Sequence, residues 1–529
     1  MSVQPKKGNQ ALIVTGLMLA LLLAALDQTI VSTAMPTIVK ELGGLDKFVW
    51  VFSAYMIASV AGMPIFGKLS DMFGRKIFFL FGLVVFMGGS ALCGMAQDMT
   101  QLIIYRAIQG IGGGALMPII FTIVFDIFPA EKRGKMQGLF GAVFGLSGVV
   151  GPLVGSFFTD YVNWTWIFYI NLPLGIVAFF IILLAYHETK DHRKQQINWL
   201  GTVLMITTIL CLMFGLELGG KEGYAWGSWK IIGLFTAFVV LLALFLWQQK
   251  VAKDPIIPLD LFKNKLFRSC MAIGFFYGAL MIAGATYIPL FIQGVFEGSA
   301  TNAGLVLMPL MLGNVFSSIM GGRFVGKVSF RAILSVSVVL VIISTILLST
   351  ISIDTSKTLI TIYMVVMGLG IGASFSVIPI AALTGIPFHQ RGSVNSLNTF
   401  FRTIGAAIGV TIYGTLQSRH LQDLIQNKID PAFASQLGDG RGLLQPEVRQ
   451  VIPKDALHQL LSSLADSIAY VFQWSIVIAI LAAIFIWLMG NSRLEIPGKA
   501  KSGSSKEGDD HVDEAGHSRP SDGVEQPSV

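Results

Sequence analysis

The chain has 529 residues, 54% of them hydrophobic and only 13% charged, with a formal net charge of +7. Soluble proteins carry roughly a quarter charged residues, so a water-soluble globule is excluded and the chain expects lipid. A helix needs about 20 apolar residues to cross a bilayer, and stretches of that kind recur with short polar breaks. They predict fourteen membrane spans, near 11–36, 48–67, 77–96, 102–125, 135–158, 166–186, 197–217, 230–249, 268–293, 303–322, 331–351, 358–380, 393–417 and 466–490. The fold class is therefore an all-α membrane protein. The first span is not a cleaved signal: its apolar run exceeds the roughly 7–15 residues of a signal core, it contains Asp27, and it leads directly into a second span. If both termini lie in the cytoplasm, about two thirds of the 37 Lys and Arg fall in cytoplasmic segments, as the positive-inside rule requires. The positive charge is thus explained by location and not by a nucleic-acid partner. Cys93, Cys211 and Cys270 are far apart in sequence and lie inside spans, with neither disulfide nor metal spacing.

In chain order, the first span holds Asp27 in Ala25-Leu-Asp27-Gln-Thr29-Ile-Val-Ser-Thr-Ala-Met-Pro36. Desolvation drives a carboxylate among apolar residues toward its neutral form, and a nearby cation drives it back. A proton carrier needs that competition. Between the second and third spans comes Gly67-Lys-Leu-Ser-Asp71-Met-Phe-Gly74-Arg75-Lys76, a charged turn in which Gly67 and Gly74 permit close helix approach. The fourth span contains Arg106 in Tyr-Arg106-Ala-Ile-Gln109. An arginine within a span is costly and marks function. In the fifth span, Gly145, Gly148, Gly151 and Gly155 with Pro152 make a small-residue surface suited to close packing. Candidate substrate contacts are Asp27, Gln109, Glu217, Phe275, Phe276 and Tyr287, with Met281 and Glu297 as further possibilities. Arg402 lies within the thirteenth span with no partner legible in the sequence.

The chain also repeats itself. Tyr105-x4-Gly110-x-Gly112-x-Gly114-Ala115 recurs as Tyr363-x4-Gly368-x-Gly370-x-Gly372-Ala373, and Pro129-x3-Arg133-Gly134 as Pro387-x3-Arg391-Gly392. Both matches are offset by 258 residues (105 to 363, 129 to 387). The twelfth span therefore maps on the fourth and the thirteenth on the fifth, an offset of eight spans. Two six-span halves with two extra spans between them account for it, and parallel repeats of this sort are a transporter plan. The expected organisation is a first half at 1–190, two extra spans and a linker at 191–262, and a second half at 263–492. An extracellular loop at 418–465 belongs to that second half. Residues 493–529, rich in Ser, Gly and acids, form an expected disordered cytoplasmic tail.

The 67–76 run resembles the signature loop of the major facilitator superfamily. The first-span pattern around Asp27 and the 6+2+6 plan are similar to its EmrB/QacA-type drug:proton antiporter branch, and this resemblance covers nearly the whole chain. It implies that Asp71 sits against the N-terminus of the thirteenth span, near Gly392-Ser393, and that Arg75 pairs with Asp126. It further implies that Arg106 tunes a proton-binding acid, and that the glycine and proline pattern at 145–155 marks antiport.

The expected function is proton-coupled export of small amphipathic, cationic compounds across the cytoplasmic membrane by a monomer. The proton gradient is the energy source, with no cofactor, no metal and no enzymatic step. No Gly-x4-Gly-Lys-Ser/Thr loop, His-Glu-x2-His motif or Thr-Val-Gly-Tyr-Gly filter occurs, which argues against an ATP-driven pump, a metalloenzyme and a potassium channel. Export of one specific compound, or a receptor or scaffold role on a transporter fold, are the alternatives.

Overall fold

The computed structural model describes residues 7–44, 47–188, 197–220, 224–296, 300–428 and 453–493. The first half comprises α1 (Lys7–Leu42), α2 (Phe48–Phe73), α3 (Arg75–Gly94), α4 (Met99–Ile127), α5 (Ala130–Tyr161), the single turn α6 (Trp166–Tyr169) and α7 (Asn171–Ala185). Then come α8 (Trp199–Leu218) and α9 (Trp229–Val251). The second half comprises α10 (Lys265–Gly294), α11 (Ala300–Phe324), α12 (Phe330–Leu348), α13 (Lys357–Leu383), α14 (Arg391–Lys428) and α15 (Lys454–Leu488). Long apolar runs make the helices, and short polar residues start them: Asp98, Asn198, Ser228, Asn264, Ser329 and Ser356 each accept a backbone N–H in a first turn. Gly74, at φ +110°, separates α2 from α3 in a conformation closed to most L-residues.

Among the described residues, twelve helical segments are long and apolar enough to cross a membrane, with α6 and α7 counted together. The sequence reading expected fourteen. The two remaining expected spans, 303–322 and 393–417, are helical as parts of α11 and α14; only in α14 do polar residues lower the hydropathy, and the first residues of α11 lie partly outside the described side chains. In α14 the residues that do so are Arg402 and the polar stretch 418–428. A second difference concerns the loop expected at 418–465. Residues 418–428 continue α14 and 454–465 open α15. Leu421, Ile425, Leu460 and Leu464 are buried in the second-half core, because helical spacing gathers their apolar side chains on one face even though the segments read as polar overall. Residues 429–452 of that loop, Glu297, and the tail from 494 lie outside the described residues.

The 258-residue repeat is visible as packing. A Cβ on Gly110 or Gly114 would overlap the α2 backbone at Tyr55 and Ser59, and one on Gly112 the α3 backbone at Phe86. In the second half, Gly368 and Gly372 press in the same way on α11 at Leu310 and Asn314, and Gly370 on α12 at Val341. Thus α4 is wedged between α2 and α3 as α13 is between α11 and α12. These glycines let helix backbones meet where apolar burial alone gives no drive inside lipid.

The halves meet along two seams. In one, α2 lies on α14, with Gly67 against Gly392 and Ser396. In the other, α5 lies on α11, with Gly134 against Gly322 and Gly138 against Ile319. The pair α8–α9 packs on α2 and α14. There Met205, Ile209, Leu212 and Met213 of α8 join Ile57 and Val60 of α2 and Ile404 and Ala407 of α14 in one apolar cluster. The pair therefore covers the first seam from outside. Cys93 and Cys270 are fully buried and Cys211 half-buried, all three as free thiols.

Candidate functional site: a buried ion pair and an inter-half latch

Asp27 is fully buried on α1 and faces α4. Its Oδ2 accepts from Arg106 Nη1 at 2.6 Å, and its Oδ1 from Gln109 Nε2 at 2.8 Å and Asn171 Nδ2 at 3.3 Å. Arg106 Nη1 also reaches Gln109 Oε1 at 2.7 Å, and its Nε donates to the Val51 carbonyl at 3.3 Å. The guanidinium lies 4.4 Å from the Tyr55 ring centre. Asn171, which opens α7, donates to Ser90 Oγ at 2.9 Å, and Ser90 in turn donates to the Phe168 carbonyl at 2.9 Å. The carboxylate that looks solitary in the sequence is thus held by donors from α4 and α7, with α2 and α3 closing the cage. Arg106 does not snorkel to a helix end: it is 1% exposed. A pair this deep is costly to desolvate, and removing one partner strands the other charge. A proton on Asp27 does the same electrostatically, so protonation here rearranges a whole hydrogen-bond network.

The second cluster joins the halves. Asp71, at the end of α2, accepts from the backbone N–H of Gly392 at 2.8 Å and of Ser393 at 2.7 Å, and from Ser393 Oγ at 3.0 Å. These are first-turn amides of α14, where the helix dipole favours an anion. A Cβ on Gly392 would stand only 2.6 Å from Asp71 Oδ1, so the bare glycine is what permits the approach. Arg75 forms an ion pair with Asp126 of α4, lies 3.5 Å from Asp71, and donates to the Phe388 carbonyl at 3.0 Å while stacking on that ring. Arg391 crosses from the second half to Asp126 at 3.0 Å. Lys76 is bound within its own half: its Nζ donates to the Leu183 carbonyl at 2.7 Å, and Glu188 accepts the Arg75 and Lys76 amides at 2.7 and 3.2 Å. Glu188 therefore caps α3, a role its linker position did not reveal. Arg391 was legible only as the repeat mate of Arg133.

The α5 glycines do not form one face. Gly145 and Gly148 lie against Met311 of α11, whereas Gly151 and Gly155 receive Thr29 and Thr33 of α1. Thr29 Oγ1 donates to the Ser147 carbonyl at 3.0 Å, one turn before Pro152. The helix that seams the halves is thereby locked to the helix bearing Asp27, two residues from the carboxylate. Gly151→Val places branched methyls where Thr29 sits, and overpacking costs roughly 1–3 kcal/mol. We expect a melting temperature several degrees lower in detergent and weakened export. An unchanged melting curve would refute the lock.

The remaining candidates lie apart from this cluster. Glu217 lines a cavity of about 470 Å³ with Trp226 and with Thr411, Thr415 and Arg419 of α14. Phe276 packs on Phe485 of α15, with ring centres 5.8 Å apart, and Tyr287 on Tyr413 of α14 at 6.4 Å. Phe275 lies in the apolar cluster beneath α8, and the α14 backbone at Gly405 lies against its own backbone. Helix-to-helix packing engages these rings, so they do not converge on Asp27. Asn171, Ser90 and Tyr55 were not singled out from the sequence. A lone Asn inside an apolar run, Tyr169-Ile-Asn171-Leu-Pro173, was the available signal.

Residues 17–410 match the sequence profile of the family described as Major Facilitator Superfamily. The chain is 47% identical over 501 residues to "Multidrug resistance protein 3" of Bacillus subtilis, covering 93% of this chain and 97% of that one. It is 37% identical over 508 residues to "Multidrug transporter protein MdtP" of the same organism, covering 92% and 94%. The crystal structure of the human organic anion transporter MFSD10 shares the fold, with a TM-score of 0.61 at 14% identity over 92% of this chain and all of that one. The profile match spans most of the chain and the bacterial relatives align over nearly their full lengths: this protein is a multi-pass membrane transporter of the Major Facilitator Superfamily.

Proposed function

We propose that the protein exports amphipathic, cationic drugs or toxic compounds across the cytoplasmic membrane in exchange for protons, as a fourteen-span antiporter of 6+2+6 plan with both termini cytoplasmic. The observation that carries this reading is the fully buried Asp27 held by Arg106, Gln109 and Asn171. A structural ion pair needs no neutral form, but this one has neutral amide partners able to hold the carboxyl when the charge leaves it. The printed names of the two Bacillus relatives support drug export. The helices α11 and α14 at the two remaining expected positions, and the clustering of Lys and Arg in the segments assigned to the cytoplasm, support the span count and orientation.

In the proposed cycle the latch at Asp71 holds the cytoplasmic end shut while the cavity faces outward. A proton arriving from outside neutralises Asp27 and frees Arg106 from its partner. The rearranged α1–α4 contacts favour opening of the latch, the proton leaves inward, and a cationic substrate stabilises the recharged carboxylate before the halves rock back. Alternating access of this kind turns on two packed arrangements of the halves around one site.

The test uses inverted vesicles containing the protein, acidified inside, with proton leak followed by fluorescence on addition of ethidium. The wild type is expected to release protons on ethidium addition. Asp27→Asn is expected to lose at least about tenfold of that rate, since a charge-bearing partner is removed from the coupling step. Leak of equal size in the variant would remove Asp27 from the proton path, and no leak in the wild type would sink the exchange reading for cations.

A further inference from the structure

Arg402 is the second intramembrane arginine, and it is built differently from the first. Its 258-residue repeat position is Phe144, just as that of Arg106 is Met364, so the repeated fold requires a cation at neither place. Arg106 has a carboxylate. Among the described residues Arg402 forms no ion pair. Its Nη2 donates to the Ser374 carbonyl of α13 at 3.3 Å, its guanidinium stacks 4.0 Å from the Phe375 ring centre, and its enclosed Nε has no hydrogen-bond partner. Among the described residues, the deeply buried helical acids Asp27, Asp71 and Asp126 are each engaged by other arginines. A guanidinium within a bilayer-spanning bundle is costly without a counter-charge.

Its surroundings are polar and unsatisfied. Asn398 Oδ1, one helical turn before Arg402 on the same face of α14, has no partner, and neither has Ser374 Oγ. Ser318 Oγ of α11 is also unpaired, as are both amide atoms of Gln137 on α5. All four side chains are less than 5% exposed. Gly141, one turn beyond Gln137, ties these groups to the arginine: a Cβ there would stand 2.6 Å from Ser318 Oγ and 4.0 Å from Phe375 Cβ, the ring that carries the guanidinium. Contacts thus join α5, α11 and α13 through Gly141, Ser318 and Phe375, and α14 reaches them through Arg402, whereas Asn398 Oδ1 lies on the α10 side of α14, 3.5 Å from where a Cβ on Gly274 would stand. Buried polar groups are almost always paired. Here the groups able to donate, Arg402 Nε, Ser374 Oγ, Ser318 Oγ and Gln137 Nε2, stay unpaired near an arginine that forms no ion pair among the described residues.

We propose that Arg402, with Ser374, Ser318 and Gln137, forms an anion subsite that takes the carboxylate of an aromatic substrate, so that the transporter accepts zwitterions as well as plain cations. The planar carboxylate matches the guanidinium fork, and charge-assisted pairing of that kind is roughly twice as strong as neutral hydrogen bonding. The flanking amide and hydroxyl groups supply the remaining donors. The inference deepens the export reading by naming a substrate class, and it rests on that reading.

The experiment compares two dyes with one xanthene body: rhodamine 110, which carries a free carboxylate, and rhodamine 123, its methyl ester. Fluorescence anisotropy titrations of the purified full-length protein in detergent at neutral pH give both affinities. The wild type is expected to bind the acid about tenfold more tightly than the ester, as a charge-assisted pair predicts. Arg402→Gln is expected to abolish that preference, and Arg402→Lys to keep part of it, because an ammonium retains the charge without the fork. Equal affinities in the wild type, binding of neither dye, or a preference that survives in Arg402→Gln would each overturn the subsite. The wild-type comparison stands even if a variant fails to fold. Ethidium-driven proton release by the wild type is read separately, so failure of the subsite and failure of the exchange reading are distinguishable.

Discussion

Asp71→Asn is expected to shift the inter-half equilibrium toward the open cytoplasmic end by about two orders of magnitude. Asp71 is fully enclosed and accepts three hydrogen bonds from Gly392 and Ser393, two of them from backbone amides at the start of α14. Hydrogen bonds to a charged group contribute about 1.5–3 kcal/mol each, and the helix N-terminus adds to them. An asparagine keeps one oxygen acceptor but turns an amide N–H₂ toward a backbone N–H, so one contact becomes repulsive and the others lose their charge. A net loss of about 3 kcal/mol corresponds to roughly a hundredfold change at 1.4 kcal/mol per tenfold. The ion pair of Arg75 with Asp126 and the cross-half bridge from Arg391 remain, so the halves stay folded and only their relative population changes. Spin labels at Phe73→Cys and Val328→Cys, with the three native cysteines replaced, report the separation by electron–electron double resonance. Both positions are exposed and lie on opposite halves at the latch end. A distance distribution identical to that of the parent protein would rule the latch out.

The largest effect on stability is expected at Arg106. Arg106→Met keeps the bulk of the side chain but leaves Asp27 buried with only Gln109 and Asn171 as donors. Breaking one side of a buried pair costs about 3–5 kcal/mol. The chain avoids part of that cost by holding the carboxyl neutral, and a carboxyl held neutral would no longer release a proton in the proposed cycle. The variant should therefore melt well below the wild type and fail to exchange ethidium for protons. The double variant Asp27→Asn, Arg106→Met strands no charge. It should recover most of the lost stability while remaining uncoupled, a non-additivity expected of contacting residues. Thermal unfolding in detergent measures the first quantity and the vesicle assay the second. Additive losses in the double variant would mean that the two side chains do not act as a pair.

Part of this was legible in the residues themselves. Low charge and recurring apolar runs fix an all-helical membrane chain, because only helices and closed barrels satisfy their backbone hydrogen bonds in lipid. The 258-residue offset read from Tyr105 and Tyr363 is the offset at which α13 sits among its neighbours as α4 does, since a glycine in a span records where another backbone must come close. Asp27, Arg106 and Asp71 drew notice as charges in places where charge is costly, and the structure gives each of them partners.

Other features depend on which helices are neighbours, and no local pattern carries that. The sequence presents Gly145, Gly148, Gly151 and Gly155 as one surface, but α5 is clasped by α11 on one side and by α1 on the other, so the run divides. Phe276 and Tyr287 read as pocket residues because aromatic side chains in spans look alike whether they meet a ligand or a helix; only packing places them on Phe485 and Tyr413. Asn171, Glu188 and Arg391 act on groups 144, 113 and 265 positions away, beyond the reach of any spacing argument. The sequence by itself determined that the chain spans a membrane, that it is a doubled helical bundle and that few charges lie within it, because transfer of charged and apolar groups into lipid acts residue by residue. The tertiary structure alone decided which charges meet, which helix faces close the seams and which arginine forms no ion pair among the described residues, because these are set by contacts between elements distant in the chain.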